Sequence, residues 1–363
     1  MALTADAVII GAGAIGCSIA YQLAKEKIKV AVVDKGEIGR EASWASAGIL
    51  SHASSGTSPY ARLCRASREM FPALSEELRQ IAGMDVEYRE SGGLYPFFTE
   101  KESVELDGYF QAESSRGIAV EKLDSKELKE RERAISPEAL GALYWHGDGQ
   151  IRSPRYVRAL AAGAEHLGAT FVLGRPVAGF LRAGGRVTGV SASGETISAG
   201  ITIIAAGAWS GQVGSLLGYP LDVGPAKGQI VLLETPPSFI RHVIHAGEFY
   251  IVPRRDGRII VGATVELAGF DKRPTAEGVR LLLEQALRVI PALAEHSFVT
   301  AWAGLRPYRE GGLAIGPIPG VEGVYVATGH HRNGILLSPV TGKLIKELIV
   351  DGKPSLAVEK FQL

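Results

Sequence analysis

The chain has 363 residues, enough for two lobes with a sizeable core. Its 39 Lys and Arg residues balance 39 Asp and Glu residues, and no basic run exceeds a few residues, which argues against nucleic-acid binding. No apolar run reaches the roughly 18 residues of a membrane span and no signal peptide precedes the first predicted strand, so we expect a cytoplasmic protein without a membrane partner.

The two cysteines, Cys17 and Cys64, have neither the spacing of a metal site nor that of a disulfide framework. We therefore predict no metal centre. Cys17 falls inside the first predicted helix, where a small buried residue is the favoured interpretation.

The N-terminal segment predicts a strand, a tight turn and a helix. The β-branched apolar run Ala7 to Ile10 is typical of a buried parallel strand. It leads into Gly11, Gly13 and Gly16, a G-x-G-x-x-G spacing that permits the turn, the close approach of a pyrophosphate and close packing of the helix on the strand. The helix, roughly Ala14 to Lys25, would direct its N-terminal N–H groups and positive dipole end at the phosphates.

A second strand, Lys29 to Val33, ends in Asp34, where a carboxylate would hold the hydroxyls of a ribose. Strand, turn, helix, strand and acid in this order predict dinucleotide binding, against the alternative of a Gly-rich turn in an unrelated α/β protein. The motif alone does not separate NAD from FAD.

The segment Arg40 to Gly48 consists mainly of small residues. A helix start built from Ser43 and Ala45 to Gly48 would let backbone and hydroxyl groups approach a flat ring or a phosphate. Taken alone, the segment is better interpreted as an ordinary Ser/Ala loop.

The middle of the chain predicts mixed elements. Tyr60 to Gln80 has helical period, Asp85 to Phe98 predicts two short strands joined at Gly92-Gly93, and the charge-rich Glu100 to Arg133 predicts helix on a solvated outer face. Gly141 to His146 predicts a strand. Ser153 is expected to cap a helix that starts at Pro154 and runs to about Leu167.

Further strands follow this helix. Ala169 to Leu173 is one, and Arg182 to Gly200 has the punctuation of a hairpin. Ile201 to Ala205 is a fully apolar strand that ends in a second small-residue turn, Ala206 to Ser210. This combination of a βαβ opening, a β-meander and a late strand favours a flavin domain over an NAD domain.

The C-terminal part predicts a second sheet and a return to the first. Thr275 to Val289 is amphipathic and helical. Val324 to Ala327 is a buried-type strand, and after it a turn and a helix to about Val350 resemble the opening unit, so the lobes are expected to be interleaved along the chain. The second sheet is assigned the segments Gln229 to Leu233, Phe249 to Pro253, Ile259 to Gly262 and Thr300 to Pro307.

With these motifs the chain resembles the D-amino-acid oxidase-like FAD flavoproteins and, within them, the glycine oxidases of thiazole biosynthesis, over essentially its whole length. The motifs are VIIGAGAIG, Arg40 to Gly48, ITIIAAGAWS, YIVPRRDGRIIVGAT, AGLRPY and GHHRNGILLSP. The resemblance implies an α/β and α+β fold. It has a Rossmann-like FAD-binding domain (1–82, 147–222 and 320–363) interleaved with a substrate domain built on a large antiparallel sheet (83–146 and 223–319).

The resemblance also implies non-covalent FAD, because no cysteine lies between Arg306 and Pro319, where sarcosine oxidases of this superfamily attach their flavin. The FAD-binding residues that it implies are Gly11, Ala12, Gly13, Ala14, Ile15, Gly16, Asp34, Lys35, Arg40, Ala42, Ser43, Ser46, Ala47, Gly48, Ile49, Val177, Ala206, Gly207, Trp209, Gly304, Arg306, His330, His331, Arg332, Asn333, Gly334, Ile335 and Leu336.

In this family the arginine of the AGLRP motif pairs with the substrate carboxylate, which implies that role for Arg306. A guanidinium offers a fixed bidentate fork for a carboxylate, and the alternative, a surface ion pair, is disfavoured because no acid stands nearby before Glu310. Tyr250 and Arg332 match residues beside the substrate, although Tyr250 alone would fit a core position. These three are the predicted catalytic residues. His331 replaces an apolar aromatic residue of the family's glycine oxidases, a departure that bears on pocket size and glycine preference.

The implied reaction is oxidative deamination of glycine and other small amino acids or amines. Hydride transfer to the flavin gives an imine, which yields a keto acid and ammonia, and dioxygen becomes hydrogen peroxide. Orientation of the α-carbon supplies most of the catalysis, a neutral amine requires no dedicated base, and the helix starting near Gly334 would stabilise the reduced flavin's charge.

The implied role is thiamine (thiazole) biosynthesis, with a thiazole synthase as a candidate partner and a homo-oligomeric assembly. Three alternatives stay open. One is an FAD-dependent D-amino-acid dehydrogenase that passes electrons to a quinone, another an oxidase that prefers sarcosine or D-proline, and the last an NAD-binding structural or regulatory protein.

Overall fold

Two large sheets organise the part of the chain that the computed structural model describes, residues 2–51 and 56–363. The strands are β1 (Ala2–Ile10), β2 (Val30–Val33), β3 (Ile49–Leu50), β4 (Gly93–Phe97), β5 (Val120–Asp124), β6 (Gly141–Trp145), β7 (Gly149–Gln150), β8 (Thr170–Val172), β9 (Val177–Ala183), β10 (Arg186–Ala192), β11 (Glu195–Ile204), β12 (Gly224–Glu234), β13 (Val243–Ala246), β14 (Phe249–Pro253), β15 (Arg258–Gly262), β16 (Ser297–Tyr308), β17 (Ala314–Pro317) and β18 (Val324–Thr328).

Helices connect and cover these strands. They are α1 (Ala14–Lys25), α2 (Ala42–Ala45), α3 (Pro59–Ala82), α4 (Glu100–Ser114), α5 (Ser125–Arg131), α6 (Ser153–His166), α7 (Ser210–Leu217), α8 (Ala276–Val289) and α9 (Gly334–Val350). Within the described ranges, no helix combines the length and apolarity needed to cross a membrane.

The first sheet has the order β17-β18-β11-β1-β2-β8, with the β9–β10 hairpin attached to β11. Strands β18, β11, β1, β2 and β8 are parallel, so their carboxyl ends meet at one edge of the sheet. Alternate residues face two apolar layers: Ile9 and Val32 pack with α1, α3, α6 and α9, whereas Val8 and Val33 pack with the hairpin and α7. This burial on both faces explains the uniformly apolar strands of the sequence.

The second sheet has the order β16-β12-β15-β14-β13-β4-β6-β5 and is antiparallel except between β13 and β4. One face packs on α8 and α5. On the other face Trp302, Ile230, Gly262 and Tyr250 are successive cross-strand neighbours, and this face packs against Ala47 of the first lobe. The strand register therefore brings Tyr250 to the face between the two sheets.

The predicted fold class is confirmed, and several predicted elements agree closely with the structure, above all α1 and the strands and helix that end the chain. The division into an FAD-binding and a substrate domain stays a prediction. At one boundary the structure differs, because β17 belongs to the first sheet, paired with β18, although the predicted division placed it with the substrate domain.

The prediction that residues 100–133 form helix on a solvated outer face is wrong for the middle of this segment. Strand β5 interrupts it and pairs with β6 at the edge of the second sheet. Leu123 of this strand is buried, which its charged sequence neighbours conceal. Capping boxes at Thr99 and Asp124 start the two flanking helices as separate elements.

Two smaller predictions also fail. The segment 85–98 forms only one strand, β4, and residue Arg89 makes an isolated bridge to Gln150 instead. Ser153 does not cap its helix, which begins at Ser153 itself with Arg152 at the N-cap. The side chain of Ser153 is instead buried against Gly48, where a Cβ would lie 2.6 Å from its hydroxyl oxygen.

Candidate active site

The predicted phosphate turn lies at the carboxyl edge of the first sheet, between β1 and α1. Gly11 has a φ of +115°, and a Cβ there would overlap the backbone of Ala205 at the end of β11. A Cβ at Gly16 would overlap the carbonyl oxygen of Gly11. Both positions therefore require glycine, Gly11 for its backbone conformation and Gly16 for the close packing of α1 on the turn.

The carboxylate of Asp34 is fixed beside this turn. Its Oδ2 accepts a hydrogen bond of 2.7 Å from the backbone N–H of Ala12, and its Oδ1 accepts one of 2.8 Å from that of Gly36. A carboxylate has about four acceptor sites, so Asp34 retains capacity for ribose hydroxyls. The N–H of Ala12 is engaged by Asp34 rather than free for a phosphate.

The small-residue segment after β2 is held between the two sheets. The hydroxyl of Ser43 accepts from the N–H of Ala14 (2.9 Å), while Trp302 Nε1 donates to the carbonyl of Ala45 (3.2 Å) and Arg254 Nη2 to that of Ala47 (2.6 Å). These bonds place α2 and the residues after it at the junction of the sheets, as expected of residues that contact a flat ring.

Arg254 is almost fully buried, and its other hydrogen bonds go to the Gln150 side chain and the Ile151 carbonyl. Burial lowers the pKa of this guanidinium to about 10. Sequence analysis missed Arg254, because nothing in the strand pattern around it shows that a charged side chain points into the junction.

A cavity of about 310 Å³ lies between the turn, this segment and the second sheet. The predicted site residues that line it are Gly11, Gly13, Ala14, Ile15, Asp34, Lys35, Ala42, Ser43, Ser46, Ala47, Val177, Ala206, Gly207, Trp209, Tyr250, Gly304, Arg306, His330, His331, Arg332, Gly334 and Ile335. The lining leaves out Ala12, Gly16, Arg40, Gly48, Ile49, Asn333 and Leu336.

Sequence analysis missed other residues of the lining. Among them are Ile10, Glu41, Arg175, Gln212, Gly228, Ile230 and Thr328. Ile230 and Thr328 belong to strands far along the chain, and no local motif records their approach. Gly228 is different, since a glycine inside an otherwise apolar strand already indicates a close approach.

Arg306 and Tyr250 occupy the part of the cavity formed by the second sheet. The guanidinium of Arg306 lies on Gly228, where a Cβ would overlap it, and the ring of Tyr250 lies on Gly262, 2.7 Å from where a Cβ would be. Arg306 Nη1 donates to the carbonyls of Thr264 (3.0 Å) and Lys227 (3.4 Å). Among the described residues no carboxylate lies within ion-pair distance of Arg306.

Burial governs the titration of this pair. Burial lowers the pKa of Arg306, and the nearby Arg332 lowers it further, while Tyr250 opposes the shift. Burial raises the pKa of Tyr250 against the attraction of Arg306 and Arg332. At neutral pH the site therefore presents a guanidinium cation and a neutral phenol, both hydrogen-bond donors.

Arg332 lines the same cavity, but its guanidinium is already paired. Its Nη1 lies 2.6 Å from Oε2 of Glu248, and its Nη2 donates to the Glu248 carbonyl at 3.4 Å. Glu248 was missed by sequence analysis, because an acid in an exposed turn is common and marks nothing by itself. The predicted role of Arg332 beside the substrate stays a prediction.

Two histidines precede α9. Burial, together with the charges of Arg306 and Arg332, lowers the pKa of His331 to about 4, and burial lowers that of His330 to about 3, so both rings are neutral at pH 7. His331 has a φ of +47° and meets the ring of Tyr308 edge-on at 5.6 Å. His330 Nε2 bonds Thr341 (3.0 Å), while its buried Nδ1 has no partner among the described residues.

The residues present fit a dinucleotide cofactor. Gly13, Ala14 and Ile15 at the start of α1 line the cavity, Asp34 offers acceptors for a ribose, and α9 begins at the cavity with Gly334 and Ile335 in its lining. Helix N-termini at both places favour anionic groups. A dinucleotide turn and a partly buried arginine without a carboxylate partner among the described residues lie in one cavity, which indicates an oxidoreductase that acts on an anionic small molecule.

The sequence profile of the FAD dependent oxidoreductase family matches residues 6–348, and the chain belongs to this family. It is 37% identical over 363 residues to a glycine oxidase of Geobacillus kaustophilus (strain HTA426), with 99% of this chain and 96% of that protein covered. The crystal structure of glycine oxidase from Geobacillus kaustophilus has a TM-score of 0.95 to this chain at 35% identity, covering 99% and 98% of the two chains.

A further relative is the bifunctional protein ThiO/ThiG of Synechocystis sp. (strain ATCC 27184 / PCC 6803 / Kazusa). It is 33% identical over 374 residues, which cover 99% of this chain and 54% of that protein. The family membership confirms the predicted resemblance and FAD as the cofactor, and it removes the alternative of an NAD-binding structural protein.

Proposed function

We propose that this protein is an oxidase of glycine and other small amino acids or amines, which forms an imine or keto acid, ammonia and hydrogen peroxide. The observation that supports it best is Arg306, a partly buried cation without a carboxylate partner among the described residues, in the cavity that the glycine turn opens into. Burying an unpaired charge is costly, so such a group is expected to be matched by an anionic ligand.

Arg306 would bind the substrate carboxylate. Its Nη1 is engaged by the Thr264 carbonyl, which fixes the plane of the guanidinium and leaves other N–H groups for the carboxylate. The phenol of Tyr250, neutral at the working pH, would donate a further hydrogen bond. Two anchors on one carboxylate restrict rotation of the substrate and so orient its α-carbon.

The same charges favour the free amine of the substrate. Arg306 is a cation and His331 is neutral at pH 7, so neither offers the negative charge that would stabilise an ammonium group here. The bound amine therefore loses its proton more easily, and no dedicated base is required. FAD, when bound, would supply the acceptor for the hydride of the α-carbon and the means of reducing dioxygen to hydrogen peroxide.

A peroxide assay of the purified holoenzyme tests this proposal. Glycine, sarcosine, D-alanine and D-proline would be compared, with oxygen consumption and peroxide measured together. We expect equal amounts of oxygen consumed and peroxide formed with at least one small amino acid. Turnover only with an added quinone, without peroxide, would instead identify the dehydrogenase alternative.

A role in thiazole formation is supported by the Synechocystis relative, in which a region like this chain shares one polypeptide with a ThiG part. We propose that the product imine, or the glycine-derived acid, serves a thiazole synthase. Mixing the two proteins with glycine tests this: product formation faster than with added glyoxylate and ammonia would support a direct transfer. The homo-oligomeric assembly and cytoplasmic location stay predictions.

A further inference from the structure

The charges around the substrate end of the cavity leave a single unpaired cation. Two guanidinium groups line it, Arg306 and Arg332, and one of them is compensated, since Arg332 forms an ion pair of 2.6 Å with Glu248. Arg306 donates to two backbone carbonyls and interacts with the Tyr250 phenol, but among the described residues no carboxylate lies within ion-pair distance of it. The site is therefore matched in charge to a ligand with one carboxylate.

The Arg332–Glu248 pair contributes little to stability. The Glu248 side chain is 74% exposed and that of Arg332 is 37% exposed, and ion pairs in such surroundings are typically weak. The pair matters more for a ligand, because Arg332 is close enough to Arg306 and Tyr250 to shift the pKa of each. The negative charge of Glu248 beside Arg332 lowers the positive electrostatic potential at the bound substrate.

We propose that Glu248 makes the site selective for amines with a single carboxylate, by occupying Arg332 and repelling a second carboxylate of the ligand. This deepens the proposed function and rests on it. Selectivity of this kind comes from an unfavourable contact with the wrong ligand rather than from tighter binding of the right one. Since the pair is partly exposed, solvent limits the expected discrimination to about 3- to 10-fold.

The test replaces Glu248 by Gln and measures the binding of acetate, malonate and succinate to the holoenzyme through the change in flavin absorbance. These ligands carry one or two carboxylates and no oxidisable amine. In Glu248→Gln we expect malonate or succinate to bind about 3- to 10-fold more tightly relative to acetate than in the unmodified protein. The gain should shrink in high salt, which screens partly exposed charges.

Glu322→Gln is the matched control. Glu322 is 70% exposed and pairs with Arg186 at 2.9 Å on the β9–β10 side of the first sheet, outside the lining of the cavity. The substitution Glu322→Gln removes the same charge from the protein as Glu248→Gln. In this control the ratio of dicarboxylate to acetate binding should not change. An equal gain in this control would mean that net charge alone is responsible, and would overturn the proposal.

Two further results would overturn it. One is an unchanged binding ratio in Glu248→Gln. The other is a gain that persists in the double variant Glu248→Gln/Arg332→Gln, because the released Arg332 must be the group that receives the second carboxylate. The titrations need bound flavin but no turnover, so they give an answer even if glycine proves not to be oxidised. Failure of the proposed function and failure of this inference are therefore distinguishable.

Discussion

The guanidinium of Arg306 rests directly on Gly228, on the neighbouring strand, at a place where any Cβ would overlap it. Gly228 itself faces Gly304 in the β12–β16 pairing, so the guanidinium of Arg306 lies over a part of the sheet without side chains. The absence of a side chain at Gly228 therefore leaves the space that the Arg306 guanidinium occupies.

We expect Gly228→Ala to displace the Arg306 side chain and to lower kcat/KM for glycine by about 10- to 100-fold, because misplacement of a binding group by about 1 Å has effects of that size. FAD content should stay normal. Gly224→Ala, in the same strand, is the control, since a Cβ there meets no atom within 4 Å. Equal loss in both variants would show a general effect on the strand.

Arg306→Ala should remove the carboxylate anchor. The expected loss is about 2–5 kcal/mol in transition-state binding, by analogy with truncated buried charge pairs, or about 30-fold to several thousand-fold in kcat/KM. Arg306→Lys should recover only part of it, because an ammonium lacks the planar fork. If an amine without a carboxylate is slowed as much as glycine, Arg306 supports the fold or the flavin instead.

Asp34→Ala should weaken FAD binding without unfolding the protein. Hydrogen bonds to a charged group contribute about 1.5–3 kcal/mol each, so the loss of one predicts a dissociation constant roughly 10- to 100-fold higher. In the structure the Asp34 carboxylate also accepts hydrogen bonds from the backbone N–H groups of Ala12 and Gly36. Asp34→Asn, which keeps an acceptor, should have a smaller effect. An unchanged dissociation constant would mean that Asp34 does not contact the ribose.

Acid precipitation should release all of the yellow colour into the supernatant. Cys17 and Cys64, the two cysteines of the chain, are buried and form no disulfide, and burial raises the pKa of the Cys17 thiol, which disfavours the reactive thiolate. Neither lies in the lining of the cavity. Colour that stays with the pellet after unfolding in denaturant would contradict non-covalent binding.

His331 should make the protein less stable as the pH falls. Its pKa is lowered from 6.5 to about 4 in the folded state, so the unfolded chain binds the proton more readily between these values. Stability is therefore lost as pH falls from about 6.5 towards 4. His331→Phe should make the free energy of unfolding less dependent on pH in this window, measured by urea denaturation at several pH values. An identical slope would contradict the assignment.

The dinucleotide turn could be predicted from the sequence because its determinants are local. Gly11, Gly16 and Asp34 act within one strand–helix–strand unit, and the structure places them as their spacing requires. Arg306 could be predicted because a charged residue closes an apolar strand and matches a family motif.

The surroundings of these residues could not be predicted, because they depend on the pairing of distant strands. Glu248 reaches Arg332 across 84 positions, and Arg254 reaches Ala47 across 207. A slip of one residue in the register of β12 would move Gly228 to the other face, and no local pattern fixes that register. Strand β5 was missed for a related reason, since its partner β6, rather than its own charged sequence, makes it a strand.

The carbonyls of Ala45 and Ala47 belong to residues that follow the first βαβ unit, yet their donors, Trp302 in β16 and Arg254 in the turn after β14, come more than two hundred residues later in the chain. The segment that lines the cavity therefore cannot make these two hydrogen bonds until the strands of the second sheet have been synthesised and have paired. Bound FAD would contact residues of both sheets. We therefore expect that loss of the cofactor separates one cooperative melting transition into two.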